Sequence, residues 1–74
     1  MLMVKAEAPA GLTIRDAIRE ALELSSRIHA MVSMEINDIP MLFSYSSFYG
    51  STMEERIENY HKEYMIQLRE RDKN

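Results

Sequence analysis

The feature that most constrains this chain is a change of apolar period near residue 29. Before it, Ile14, Ala17, Ile18, Ala21, Leu22, Ser25 and Ile28 follow i, i+3, i+4, i+7 spacing, the stripe of an amphipathic helix. After it, Val32, Met34 and Ile36 alternate with Met31, Ser33 and Glu35, the period of a half-buried strand. One element cannot hold both periods, so a helix must hand over to a sheet there. The chain is therefore read as α+β.

The first helix is expected over 13–28. Thr13 has a hydroxyl to accept from the free N–H groups of the first turn, and Asp16 stands where a capping-box acid would. A β-hairpin is expected over 30–45, turning on Asn37-Asp38, two residues that tolerate the left-handed backbone of a two-residue turn. That turn opposes Ile36 with Ile39, Met34 with Met41, Val32 with Phe43 and Ala30 with Tyr45, making one face continuously apolar. It also sets Pro40 opposite Glu35 in a non-hydrogen-bonded pair, so its missing N–H points away from the partner strand and marks a sheet edge.

A second helix is expected over 52–72. Ser51…Glu54 and Thr52…Glu55 are overlapping capping boxes, and Met53, Ile57, Tyr60, His61, Tyr64 and Leu68 form its stripe. At 1.5 Å per residue it reaches roughly 30 Å and outreaches the first helix, which suggests an overhang packed on another chain. Residues 1–12 are a short strand near Leu2–Ala6 or a free arm, closed by Pro9 and Gly11. The expected architecture is (β)αββα: two amphipathic helices on one face of a small antiparallel sheet.

Seventy-four residues make one domain, and a domain this small is marginally stable unless reinforced. Without cysteine, disulfides and thiolate zinc sites are excluded, which leaves a homo-oligomer as the expected reinforcement. No apolar run approaches the roughly 20 residues of a membrane span, and Met1–Lys5 does not read as a signal peptide, so a cytoplasmic protein is expected. The formal net charge is −3. Its nine cations are scattered among carboxylates, which disfavours binding to a nucleic-acid backbone, and the charge is too small for a DNA mimic.

Chemistry is sparse. Glu58 and His61 have the E-x-x-H spacing of carboxylate-bridged metal bundles, but such sites need a second motif and two further glutamates, and the first helix has no histidine in register. His29, beside Arg27, suits a helix C-terminus better than a general base. No nucleophile–base set can be assembled, nor can two distant glycines form a phosphate loop. Neither a cofactor nor a metal is expected. The Ser44–Gly50 segment sets Tyr45, Phe48 and Tyr49 among serines, a composition suited to rigid contacts, although the same aromatics could close the core. Met31, Leu42 and Ile66 fall off the apolar faces and suggest a partner-facing patch.

The order of an amphipathic helix, the run Ser33-Met34-Glu35-Ile36-Asn37-Asp38-Ile39, and a capped helix with Tyr60 and His61 resembles small accessory proteins of tailed bacteriophages. Many of those carry an amphipathic helix, a hairpin turning on Asn-Gly and a short C-terminal helix containing a tyrosine; here Asp38 replaces the glycine. The resemblance covers about residues 13–65. It implies a host-directed or anti-defence role in the host cytoplasm, such as inhibiting a bacterial protein or sequestering a small nucleotide signal, and it transfers no site residues. The expectation is a non-enzymatic oligomeric binding module whose interface uses Met31, Leu42, Phe48, Tyr49 and Ile66. The alternative holds an anionic small molecule between subunits with Arg27, His29, Asn37 and Tyr45. An enzyme without a recognisable motif stands third.

Overall fold

A computed structural model describes residues 3–8, 11–44 and 50–72. Five elements run in the order β1 (Met3–Glu7), α1 (Ile14–Ile28), β2 (Met31–Ile36), β3 (Ile39–Phe43) and α2 (Met53–Asp72). They form an α+β fold in which both helices pack on one face of a three-stranded sheet, with β2 in the centre. The expected pairing of Ala30 with Tyr45 lies outside the described residues.

Local chemistry sets the boundaries. Thr13 is the N-cap of α1, its Oγ1 accepting from the Asp16 N–H at 3.1 Å. The helix ends at His29, which takes the left-handed conformation (φ 52°, ψ 47°) and donates its N–H to the Ser25 carbonyl. The Ser25 hydroxyl is fully buried and donates to the Ala30 carbonyl, so the one polar residue on the apolar stripe ties the helix end to the sheet. Thr52 caps α2 in the same way, accepting from the Glu55 N–H at 3.1 Å. The Glu55 carboxylate in turn accepts from the hydroxyls of Ser51 and Thr52.

The hairpin has the expected register, with Ile36 opposite Ile39, Glu35 opposite Pro40, Met34 opposite Met41 and Val32 opposite Phe43. Asn37 and Asp38 both have positive φ, 52° and 66°, as a type I′ turn requires. The sheet itself is mixed. Residues Met3–Glu7 pair parallel to Met31–Glu35, because α1 carries the chain back to the end from which β1 started. The first strand therefore replaces the free arm and makes the hairpin one part of a larger sheet.

The core joins Ile18 and Leu22 of α1, Val32, Met34, Met41 and Phe43 of the sheet, and Ile57, Tyr60 and Tyr64 of α2. Leu12 and Ile28, at the two ends of α1, stay exposed. The tyrosines dock α2 with both ends of each side chain. Tyr60 packs its ring on Phe43, centroids 4.9 Å apart, and accepts from the Ser44 N–H at 3.0 Å. One turn on, the Tyr64 hydroxyl accepts from the Asn37 amide at 3.1 Å. The last turn of α2 continues onto the hairpin, where Arg71 donates to the Asn37 carbonyl at 2.9 Å. α2, roughly 30 Å long, still outreaches strands of roughly 20 Å, and Arg71 ties its last turn back to the hairpin.

The helices meet antiparallel through Arg15–Glu58 at 2.8 Å and Arg19–Glu54 at 2.9 Å. The Arg15 guanidinium, by hydrogen bond and by charge, holds the Glu58 carboxyl below its ordinary range, and Glu58 raises Arg15 in return. Because the native carboxyl is the stronger acid, its contribution is present above its ordinary value and is lost as pH falls through the native one. Both groups are exposed, so the effect is small. Glu58→Gln should melt slightly below the native chain at pH 7, with the gap closing in thermal melts as the pH is taken below the carboxylate range. A gap that widened in acid would contradict this ion pair.

Candidate functional site

The period of two along each strand divides the sheet into a covered face and a bare one. Val32, Met34, Ile36, Ile39, Met41 and Phe43 point under the helices. The intervening residues stand on the other face, where no described element covers them. Strand register arranges them in rows: Met3 beside Met31, then Lys5, Ser33 and Leu42, then Glu7, Glu35 and Pro40. The bare face is graded from thioether and aliphatic groups at one end to carboxylates at the other. Met3 is 55% exposed and Leu42 45%, large values for apolar side chains that share one patch.

A cleft of about 840 Å³ opens beside the acidic end, where the C-terminal ends of β1 and β2 meet the start of α1. Lys5, Glu7, Glu35, Asn37 and Asp38 line it, with Ile14 and Ile36 on its apolar side. Three carboxylates against one ammonium make it a poor site for an anion. Thr13 also borders it, but its hydroxyl oxygen already accepts within the α1 cap. Among the described residues, no group of three or more histidines, cysteines or carboxylates is placed to hold a metal ion. Glu58 of the E-x-x-H pair is engaged by Arg15. No helix among the described residues is long and apolar enough to cross a membrane.

The expected interface residues separate into two groups. Met31 and Leu42 share the bare face, across one strand boundary from each other. Ile66, 58% exposed, lies on α2 and therefore on the opposite side of the sheet. Phe48 and Tyr49 lie outside the described residues. The expected ligand set also divides. Arg27 and His29 stand at the C-terminal end of α1, where β2 begins, whereas Asn37 follows the last residue of β2. Six strand residues at about 3.3 Å each put roughly 20 Å between those ends, so one chain does not gather them into a pocket. Asn37 is committed as well, with its amide on Tyr64 and its carbonyl on Arg71. Tyr45, the fourth member, lies outside the described residues.

What the reading of the sequence missed is the contribution of β1. Met3, Lys5 and Glu7 extend the bare face by a full strand. Their signal was the alternation of Lys5 and Glu7 with Val4, Ala6 and Ala8, a strand period short enough to pass for a tail. Compared with known proteins, the chain matches no family model, no curated sequence and no solved structure.

Proposed function

We propose that this chain is a non-enzymatic binding module that acts by protein–protein contact through its bare sheet face. The observation carrying the reading is the asymmetry of the sheet: two helices seal one face, while the other presents Met3, Met31 and Leu42 beside Glu7 and Glu35. An antiparallel or mixed sheet tolerates a solvated face, but that face is normally polar. Apolar side chains kept at one end, with carboxylates at the other, suit a partner that offers an apolar surface flanked by Lys or Arg. On the resemblance to tailed-bacteriophage accessory proteins, that partner is a host protein and the setting is the host cytoplasm.

Leu42→Asp tests the reading. The side chain is exposed and points away from the core, so the variant should melt within about 4 °C of the native chain, as surface substitutions usually do. The tagged native chain should retain a partner stoichiometrically from extracts of its source cells. Leu42→Asp should retain at least tenfold less, because a carboxylate buried without a mate weakens a contact by more than ~1.4 kcal/mol. Equal retention by the two chains at matched expression would remove the bare face from the interaction.

A further inference from the structure

We infer that β1 is a self-association edge, along which two copies of this chain pair antiparallel about Ala6 to join their sheets into one of six strands. The inference rests on the contact-module reading above and names its first partner, a second copy of the chain. Three observations favour this edge and this register.

The two edges of the sheet are unequal. On β3, Pro40 stands at a non-hydrogen-bonded position opposite Glu35, so the side facing away from β2 lacks a donor there. The side chains of Gln67 and Arg71 from α2 also bond along that hairpin, to Met41 and to the Asn37 carbonyl. From Met3 to Ala8, β1 has no proline, and β2 occupies only one of its sides.

The helix layer stops short of β1. Val32 and Met34 are 0% and 3% exposed, whereas their neighbours Val4 and Ala6, on the same face, are only half-buried. A further strand alongside β1 would bring apolar side chains against them.

Charge selects the register. A twofold axis perpendicular to the sheet keeps each residue on its own face, so paired residue numbers must add to an even total. Centring on Lys5 opposes two ammonium groups, centring on Glu7 opposes two carboxylates, and centring on Val4 pairs no charges. Centring on Ala6 sets Lys5 across from the partner's Glu7 twice and Val4 across from the partner's Ala8 twice, with two small Ala6 side chains on the axis. Cross-strand pairs of opposite charge are favourable and like pairs unfavourable. In this arrangement all four helices lie on one side and the two bare faces become contiguous on the other.

The test is sedimentation equilibrium of the full chain over a concentration series. Five residues of edge pairing make a small interface, so the dimer should dissociate on the order of micromolar. Lys5→Glu and Glu7→Lys should each weaken it roughly 10- to 100-fold by making both charge pairs repulsive. An equimolar mixture of the two variants should associate again, because every like-charge contact becomes an opposite-charge one, and the double swap K5E/E7K should return to the native constant. All three chains should melt within a few degrees of the native chain at a concentration where it is monomeric, Glu7→Lys at or above it because the new ammonium stands beside Glu35. A native chain monomeric to 1 mM, variants that dimerise like the native chain, or a mixture that stays monomeric would each overturn the inference. Failure here is separable from failure of the contact reading. A monomer whose partner retention still depends on Leu42 overturns only the self-association, and a dimer whose retention ignores Leu42 overturns only the docking face.

Discussion

Tyr60→Ala should remove about 3–5 kcal/mol of stability, a large fraction of what so small a domain has. At roughly 0.05–0.15 kcal/mol per residue, a chain of 74 residues has only about 4–11 kcal/mol in total. Tyr60 is 2% exposed and sits where α2, β3 and the core meet. Truncation removes the ring packed on Phe43 and leaves a cavity between α2 and the sheet. It also strips the Ser44 N–H of an acceptor at the end of β3. Tyr60→Phe separates these effects. The ring stays, only the hydroxyl is lost, and the cost should be about 1 kcal/mol. Urea denaturation of the three proteins reads both numbers from their midpoints. A loss below 1 kcal/mol in the alanine variant would mean that α2 is not docked through this side chain.

Tyr60 was visible in the sequence because its position is dictated locally. So were both helices, the hairpin register and the turn: a hydroxyl before a periodic run, a two-residue turn and an alternation of apolar side chains all act within a few residues of chain. The cap of α1 at Thr13 and the positive φ of Asn37 and Asp38 needed no knowledge of the rest of the fold. What was illegible is the non-local part. Nothing within Met3–Glu7 specifies that it lies parallel to Met31–Glu35, since that pairing depends on a helix of 15 residues returning the chain across the sheet. The reach of Arg71 to the Asn37 carbonyl is likewise non-local, since it joins residues 34 apart in sequence.

The candidate face follows the same division. Met31 and Leu42 were recognisable as apolar residues of the wrong parity, because parity is a property of each strand alone. Their grouping with Met3, and the gradation towards Glu7 and Glu35, exist only once three strands are in register. Ile66 has the same local signal as Leu42 but belongs to a helix on the other side of the sheet, so a list of misplaced apolar residues is not yet a surface. Arg27, His29 and Asn37 divide within one chain for a related reason. They are near in sequence, yet a strand runs between them, and a strand separates its ends by more distance per residue than any other element.

Gly50→Ala should cost about 2–4 kcal/mol, while Gly11→Ala should cost about 1 kcal/mol. Both glycines have positive φ, 145° and 86°, so both variants put a Cβ on a backbone that disfavours one. They differ in what that Cβ would meet. At Gly11 nothing lies within 4 Å, and the cost is backbone strain alone. At Gly50 the new methyl would stand 2.7 Å from the Glu55 Cβ and 3.1 Å from the Arg56 backbone nitrogen, atoms fixed by the first turn of α2. The approach is held from the other direction too, because Arg56 donates from Nε to the Gly50 carbonyl at 2.9 Å. Relief requires either tilting the start of α2, which would strain the Thr52 cap, or moving Gly50 away and breaking that bond. For a domain this size each kilocalorie is worth roughly 4–8 °C, so Gly50→Ala should melt about 8 °C or more below the native chain and Gly11→Ala about 4–8 °C below. Equal shifts in thermal melts would reduce Gly50 to a backbone conformation. A clear excess at Gly50 would make it the point where the chain must pass closest to α2, and so the residue that fixes how the second helix enters the fold.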